Sequence, residues 1–244
     1  MTSAGKQRLD VMLVDRGLAE SREKARALVL AGQVLVDGVR APKPGHSVAV
    51  DSRVELLERL PYVSRAGKKL EAALTAFAID VRGKTCIDVG ASTGGFTDCL
   101  LQRGAGRVYA IDVGKGQLDW RLRNDPRVIV REGVNARYLA GDFLGETAAF
   151  AACDVSFISV TLILPSVAAL WAESGEIVIL VKPQFEVGRG QVGKGGIVRD
   201  PALHQAACDR VRSAARGLGF RTDLMESPVL GAEGNKEFLL YARH

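Results

Sequence analysis

The chain has 244 residues, of which 47% are hydrophobic and 25% are charged, so it can form a core and has the composition of an ordinary globular protein. No apolar run approaches the roughly 20 residues of a membrane span, and no hydrophobic signal region follows the N-terminus. We therefore expect a cytoplasmic protein without a membrane partner. The formal net charge of +5 arises within residues 1–69, which hold 13 Lys and Arg against 8 Asp and Glu. This asymmetry predicts either a basic module with a polyanionic partner or a solvated basic helix face.

The first 57 residues predict two helices packed on a small sheet. Apolar residues one turn apart predict a helix that ends at Gly17. Ser21 is an N-cap candidate for a second helix, Arg22 to Ala31, which carries basic residues in its first turns. Short strands are predicted over residues 33–36, 48–50 and 54–57, with Asp37-Gly38 as a hairpin turn.

This segment resembles the small RNA-binding domain named after ribosomal protein S-four. The resemblance covers roughly residues 7–57 and rests on Arg8-Leu9-Asp10, Ser21-Arg22 and the run Ala31 to Gly38. It implies that a basic helix face and the turn after it bind structured RNA through phosphates. The RNA-binding candidates are Arg8, Arg22, Lys24, Arg26, Gln33 and Lys43, of which Lys43 also fits a free loop charge.

A linker is predicted over residues 59–63, because Pro61 disfavours a continuous helix there. Ser64 is predicted to cap a new helix, Arg65 to Phe77, whose apolar stripe should pack on a sheet. Lys69 lies next to that stripe. The predicted domains are 1–58 and 64–244, with 59–63 between them.

A glycine-rich turn, Asp88 to Thr97, joins a β-branched strand to a helix, and a second strand ends at Asp112. Strand, glycine turn, helix, strand and acid form the first half of a nucleotide-cofactor site. Ser92 stands where a dinucleotide would require glycine, which favours S-adenosylmethionine over NAD; a tight turn without cofactor is the remaining alternative. The cofactor-binding candidates are Gly90, Ser92, Gly94 and Gly95 for the methionine end, Phe96 at the start of the helix, Asp112 for the ribose, and Asn135 for the adenine or simply as a turn residue.

The rest of the chain alternates apolar runs with helical segments, which predicts a mostly parallel sheet with helices on both faces. Asp88, Asp112, Asp154 and Lys182 lie at or near the carboxyl ends of strands, where open α/β sheets bind ligands. An Asp154–Lys182 ion pair with only a structural role is the alternative. Further strands are predicted over 128–130, 149–155, 176–182 and 238–241, helices over 162–171 and 201–218, and a mobile lid over the glycine-rich loop 187–196.

Four residues, Lys69, Asp154, Lys182 and Glu237, match in order and context the Lys–Asp–Lys–Glu tetrad of RNA ribose 2′-O-methyltransferases of the FtsJ class. Their contexts are Ser-Arg-Ala-Gly-Lys-Lys-Leu, Asp-Val-Ser-Phe-Ile-Ser, Val-Lys-Pro-Gln-Phe-Glu and Asn-Lys-Glu-Phe. Together with the basic module and the run Gly-Ala-Ser-Thr-Gly-Gly-Phe-Thr, they make the chain similar to the TlyA family, whose members are often labelled haemolysins. The resemblance implies a Rossmann-like class I methyltransferase domain with a mostly parallel seven-stranded sheet. It also implies S-adenosylmethionine as cofactor and methylation of a cytidine ribose in ribosomal RNA, of the large subunit or of both subunits.

Methyl transfer to ribose needs the 2′-oxygen held in line with the methyl carbon and its proton removed. A lysine can be the base when burial or a second cation lowers its pKa. We hypothesise Lys182 as the base and Lys69 as the neighbouring cation, with Asp154 and Glu237 orienting them.

Three other functions are considered. A nicotinamide oxidoreductase does not explain the tetrad, and a non-catalytic RNA-binding or ribosome-assembly factor does not explain the glycine turn. A membrane-active haemolysin requires a membrane span or a lytic helix, and the sequence predicts neither. The four cysteines, Cys86, Cys99, Cys153 and Cys208, show no C-x-x-C spacing and the histidines are scattered, so we expect reduced core thiols and no metal site.

Overall fold

The computed structural model describes residues 5–57 and 61–244, apart from the side chains of residues 172–174, 189 and 232. Contacts divide the chain into two compact units, Met1–Leu60 and Pro61–His244. Part of the linker predicted over 59–63 lies outside the described residues, so the boundaries expected from the sequence stay a prediction.

The first unit packs two helices on short antiparallel strands. One sheet pairs β1 with β4 and the other has the order β3–β2–β5. The helices and strands expected from the sequence are confirmed; β1 was not predicted. The elements are β1 (Lys6–Arg8), α1 (Leu9–Asp15), α2 (Arg22–Leu30), β2 (Val34–Val36), β3 (Val39–Arg40), β4 (Ser47–Ala49) and β5 (Val54–Leu56).

Local chemistry explains where these elements begin and turn. Ser21 caps α2 as predicted, because its side chain accepts a hydrogen bond of 3.2 Å from the backbone N–H of Lys24. Asp37 and Gly38, with φ of 51° and 80°, adopt the left-handed conformations that a tight hairpin between β2 and β3 requires. Leu9, Met12 and Leu13 of α1 are fully buried in the core of this unit.

The second unit is built on a sheet that, among the described residues, has seven strands in the order β11–β12–β10–β9–β6–β7–β8. Strands β6 to β10 are parallel to their neighbours, and β12 is antiparallel to both β10 and β11. The mostly parallel seven-stranded sheet is therefore confirmed. The elements are α3 (Ala66–Ala76), β6 (Thr85–Val89), α4 (Gly95–Gln102), β7 (Arg107–Asp112), α5 (Trp120–Arg123), β8 (Val128–Glu132), β9 (Ala148–Cys153), α6 (Leu164–Ala168), β10 (Trp171–Val181), α7 (Pro183–Glu186), α8 (Pro201–Gly217), β11 (Arg221–Glu226) and β12 (Phe238–Arg243).

Two local expectations are wrong. The helix predicted to reach Trp171 ends at Ala168, because Trp171 already pairs with β9 and packs edge-on against Phe220. Ser64 does not cap α3: the helix begins at Ala66 without a side-chain cap, and the Ser64 hydroxyl instead packs on Gly95. Strand β11 was not predicted, since most of its residues are partly or fully exposed at the sheet edge.

Both faces of the sheet are buried, which separates the strand residues into two sets. Successive strand side chains face opposite sides. Ile87 and Val89 belong to the core cluster shared with α6 and α8, whereas Cys86 belongs to the cluster shared with α3 and α4. Polar residues two positions from members of the second cluster continue the α3/α4 face at the strand ends. They are Asp88 after Cys86, Asp112 after Ala110, Asp154 after Ala152, Lys182 after Leu180, and Glu237 before Leu239.

Gly67 in α3 lies under the Tyr62 ring, and a Cβ added there would be 2.3 Å from the ring carbon Cγ. Alanine normally stabilises a helix by about 1 kcal/mol relative to glycine. Here we expect Gly67→Ala to lower the free energy of unfolding, because overpacking costs about 1–3 kcal/mol. In a Tyr62→Gly background, which removes both the ring and the Tyr62 Cβ that would lie 2.5 Å from the added Cβ, the sign should reverse. Chemical denaturation of the four proteins measures this, and a stabilising Gly67→Ala in the wild-type background would contradict it.

Candidate functional site

A cavity of about 210 Å³ lies where β6, β9 and β10 end, on the α3/α4 side of the sheet. It joins the glycine turn to two residues of the predicted tetrad, Asp154 and Lys182. This is the edge at which parallel α/β sheets bind ligands. The lining residues are Ser64, Ala66, Asp88, Gly90, Ala91, Ser92, Thr93, Gly95, Phe96, Asp154, Ser156 and Lys182.

Asp88, the last polar residue of β6, borders this cavity with a fully buried carboxylate. One oxygen, Oδ2, accepts hydrogen bonds from the backbone N–H and the hydroxyl of Thr97, at 2.8 Å and 2.6 Å, in the first turn of α4. The other, Oδ1, has no hydrogen-bond partner. Burial raises the pKa of Asp88 to about 7, against the opposing effect of the Thr97 bonds. The site therefore presents an unpaired acceptor beside an open cavity.

The glycines of the turn are required by neighbouring protein atoms. Gly90 has φ of +84°, and a Cβ there would be 2.4 Å from the carbonyl oxygen of Asp154. Gly94 has φ of +97° and is covered by Leu122 of α5. Gly95 faces the start of α3, where Ser64 leaves no room for a side chain. Close packing of three segments thus explains why the turn has no side chains at these positions.

The remaining cofactor candidates differ in how much of each side chain is free. Phe96 is buried in the core under α4. Asp112 accepts backbone N–H bonds of 2.7 Å from both Ser92 and Gly114, so it shapes the loops around it. Asn135 is exposed and its side-chain oxygen accepts a bond from the N–H of Arg137. That bond is the turn role considered as the alternative for Asn135.

Lys182 ends β10 with its ammonium group between two groups of the loop after β9. Its Nζ lies 2.6 Å from Asp154 Oδ1 and donates a hydrogen bond of 2.7 Å to the Ser156 hydroxyl. The Lys182 ammonium and the Asp154 carboxylate therefore form a close ion pair. The predicted Asp154–Lys182 pair is present and borders the cavity.

Lys69 and Glu237 form the second pair of the predicted tetrad. Their side chains are only 9% and 2% exposed, and Lys69 Nζ donates to Glu237 Oε2. Gly231 lies against Glu237, since a Cβ on it would overlap the carboxylate. The tetrad is therefore organised as two lysine–carboxylate pairs.

Phe157 follows Ser156 on the loop after β9 and is 92% exposed. Its φ of +65° lies in the left-handed region, which a bulky L-residue adopts only at a cost in free energy. Its ring lies 5.3 Å from that of Phe185, which follows Lys182 on the neighbouring turn. A strained loop thus holds an aromatic ring in solvent beside the cavity.

In the first unit, two of the predicted RNA-binding residues share one buried carboxylate. Arg8 donates to both oxygens of Asp10, at 3.0 Å and 2.9 Å, and Arg22 donates to Oδ2 at 3.2 Å. The Arg8 bonds, and then those of Arg22, lower the pKa of Asp10 to about 2 although burial opposes this. Asp10 therefore fixes two largely exposed guanidinium groups side by side.

The other RNA-binding candidates are placed more loosely. Lys24 forms an exposed ion pair with Glu20, an interaction that contributes little to stability. Arg26 on α2 and Lys43 between β3 and β4 are exposed, and Gln33 is half-buried before β2.

Sequence reasoning left four polar side chains of these sites without a role. Asp10 is part of the Arg8-Leu9-Asp10 motif but was given no role of its own. Asp88 was named only because it lies near the end of a strand. Ser156 could have been found from its spacing, because it lies two residues after Asp154. Glu186 lies at the end of α7 and is only 3% exposed. Its place beside apolar residues is the sequence feature that could have identified it, because a buried acid needs a partner.

Two families of known proteins match this chain, one within each of its two units. Residues 62–244 match the FtsJ-like methyltransferase family and residues 7–54 match the S4 domain. The chain is 46% identical to the 16S/23S rRNA (cytidine-2'-O)-methyltransferase TlyA of Mycobacterium tuberculosis, covering 98% of this chain and 91% of that protein. It is 44% identical to Hemolysin A of Brachyspira hyodysenteriae, with coverages of 96% and 98%.

A solved structure from Streptococcus thermophilus that carries the name hemolysin is also similar, with a TM-score of 0.75 and 46% identity. It covers 99% of this chain, which in turn covers 89% of it. Within residues 5–57 and 61–244, no helix is long and apolar enough to cross a membrane. In the same part of the chain, all four cysteines are free and buried.

The Lys69–Glu237 pair allows a direct test of what its burial costs. We expect Glu237→Ala to lower the free energy of unfolding by about 3–5 kcal/mol, because it leaves a buried ammonium unpaired. The double change Lys69→Met with Glu237→Leu should restore most of that loss, since no buried charge remains.

The matched control is Glu226→Ala, which breaks the nearby Lys236–Glu226 pair, whose side chains are 51% and 52% exposed. Its effect should stay below about 1 kcal/mol. Urea denaturation measures all three variants. A double variant as unstable as Glu237→Ala would contradict this account of the pair.

Proposed function

The chain belongs to the FtsJ-like methyltransferase family, and we propose that it transfers a methyl group from S-adenosylmethionine to the ribose 2′-hydroxyl of a cytidine in ribosomal RNA. The Mycobacterium tuberculosis relative, named for this reaction, is similar over almost the whole chain. The observation that carries the proposal is the Lys182 ammonium between Asp154 and Ser156, at a cavity that the glycine turn also lines. The cytoplasmic location expected from the sequence remains a prediction.

The cavity fits a cofactor that brings its own positive charge. Asp88 Oδ1 is buried without a partner beside the cavity, and an ammonium group there would satisfy it. Asp112 is held by two backbone N–H groups with lone pairs to spare for ribose hydroxyls. Asn135 stays a predicted contact to the adenine. When bound, S-adenosylmethionine would supply a methyl group on a sulfonium, whose carbon an oxygen nucleophile can bond while the sulfur leaves as a neutral thioether.

Lys182 is suited to orient that oxygen. An ammonium has three N–H donors, and Asp154 and Ser156 account for two of them. The third can hydrogen-bond the ribose 2′-oxygen and direct a lone pair at the methyl group.

Asp154 is suited to take the proton. The Asp154 carboxylate lies 2.6 Å from the Lys182 ammonium, at the edge of the same cavity. This carboxylate has two oxygens with further lone pairs, so it can accept from a second donor besides Lys182. We therefore propose Lys182 as the orienting group and Asp154 as the proton acceptor; the sequence hypothesis that Lys182 is the base stays a prediction.

RNA contacts are supported in both units. The guanidinium groups of Arg8 and Arg22 are held by Asp10 and remain more than half exposed, which suits them to phosphates. Phe157 offers an exposed ring beside Lys182, and RNA-binding proteins stack unpaired bases on such rings. The Phe157 ring is held in solvent at a cost in backbone free energy. This supports the binding of an unstacked nucleotide next to the reacting groups.

Methyl transfer to isolated ribosomal subunits, with naked ribosomal RNA as a second substrate, tests the proposal. We expect Lys182→Ala to reduce the single-turnover rate by about 100-fold or more, because it removes a group that acts in the transition state. Its affinity for S-adenosylmethionine should change little. Arg221→Ala, an exposed cation on β11, is the control and should be unaffected. No transfer by the wild type to either substrate would refute the proposal, and a near wild-type rate for Lys182→Ala would refute this role of the lysine.

Cofactor affinity should depend on pH through Asp88. Its pKa is raised to about 7, so the carboxylate that an ammonium requires is mostly present at pH 8 and mostly protonated at pH 6. We expect the dissociation constant of S-adenosylmethionine to rise about tenfold over that fall in pH. Asp88→Asn should bind weakly at every pH, with a flat profile. Calorimetric titration measures both proteins, and an equal pH dependence in Asp88→Asn would rule out this assignment.

A further inference from the structure

We propose that Glu186 is a positioning residue that holds the loop after β9 against the turn after β10, so that Lys182 meets Asp154 and Ser156. The inference rests on the proposed function, because those three residues are the reacting groups of that reaction. Glu186 is the last residue of α7 and is only 3% exposed. Its role lies outside the predicted tetrad and outside the cofactor turn.

The carboxylate of Glu186 binds the loop after β9 with both oxygens. Oε1 accepts a hydrogen bond of 2.8 Å from the backbone N–H of Val160, and Oε2 accepts one of 2.5 Å from the Ser159 hydroxyl. The Ser159 hydroxyl also contacts that of Thr161 at 2.7 Å. The clamp formed by Glu186, Ser159 and Val160 therefore links two loops that are separated by 26 residues in sequence.

Each clamped loop carries reacting groups a few residues away. Asp154 and Ser156 precede Ser159 on the first loop, and Lys182 precedes Glu186 on the second. The two loops touch at three further points, the Lys182–Asp154 ion pair, the Lys182–Ser156 hydrogen bond and the Phe157–Phe185 ring contact. A shift of one loop along the other would break all of these contacts, so the clamp sets their common spacing.

The clamp is also anchored to the body of the unit. The backbone carbonyl of Glu186 accepts a hydrogen bond of 2.7 Å from the Arg210 guanidinium on α8. Helix α8 packs on the sheet through buried residues that include Ala207 and Val211. The clamp thus transmits the position of a long, packed helix to both loops.

Burying a carboxylate at this position costs free energy unless hydrogen bonds or charges compensate it. Burial raises the pKa of Glu186, while the Ser159 and Val160 bonds and the Arg210 charge oppose the rise. Both oxygens are already occupied by donors. Glu186 therefore acts through the loop it holds, and proton transfer remains with Asp154.

The test compares an isosteric amide with a truncation. In Glu186→Gln, the side-chain oxygen can still accept from Val160 and the amide N–H₂ can donate to Ser159, so the clamp survives without charge. Glu186→Ala removes it. We expect the kcat for methyl transfer to fall about 10- to 100-fold in Glu186→Ala and to stay within about threefold of wild type in Glu186→Gln. The KM for S-adenosylmethionine should stay within about twofold in both, because the glycine turn belongs to β6 and α4.

Three further measurements keep the outcome decisive. Asp209→Ala changes a half-exposed acid on α8 and is the matched control, with wild-type kcat expected. Ser159→Ala removes one arm of the clamp and should give a smaller loss, which serves if Glu186→Ala does not fold. Hydrogen exchange of residues 156–163 reports the loop without any activity: it should speed up at least tenfold in Glu186→Ala and not in Glu186→Gln.

The outcomes separate the two proposals. If the wild type transfers no methyl group, the proposed function fails while hydrogen exchange still decides the clamp. Wild-type exchange and kcat in Glu186→Ala would overturn the positioning role. An equal loss of kcat in Glu186→Gln and Glu186→Ala would overturn it as well, because the charge rather than the clamp would then matter.

Discussion

The alternation of side chains along parallel strands that are buried on both faces is the constraint on which the site depends. The apolar residues of each strand pack into both core clusters, and this fixes which face a polar residue at or just beyond the end of the strand takes. Asp88, Asp154 and Lys182 all continue the α3/α4 face, and they meet at one cavity. A one-residue slip in any of these strands would turn its polar residue towards α6 and α8.

Within residues 5–57 and 61–244, the buried charges are stabilised in different ways. Lys69 and Glu237 neutralise one another, and Asp10 is neutralised by two arginines. Glu186 relies on a hydroxyl and a backbone N–H. Asp88 keeps one oxygen, Oδ1, without a hydrogen-bond donor. Because an unpaired buried acceptor is unfavourable, this oxygen is the strongest local indication of a bound ligand.

Sequence patterns predict the strands and helices well where apolar periodicity is strong, as in β10 and α8. They fail where tertiary contacts determine the local structure. Trp171 packs on Phe220 instead of ending a helix, and Ser64 packs on Gly95 instead of capping α3. The tetrad could be named from its motifs, and an Asp154–Lys182 pair could be considered from the strand ends. The Lys69–Glu237 pair could not be predicted, since it depends on distances between distant segments. The clamp at Glu186 escaped prediction because its partners lie 26 residues away and one of them is a backbone N–H.

The most direct test of the central claim is the identity of the methylated nucleoside. Ribosomal subunits would be incubated with the protein and S-adenosylmethionine that carries an isotopically labelled methyl group. The RNA would then be digested to nucleosides and separated by mass spectrometry. The account predicts label in 2′-O-methylcytidine, because Lys182 and Asp154 are arranged to handle a ribose hydroxyl. Label in a base-methylated nucleoside, or no label in RNA at all, would contradict it.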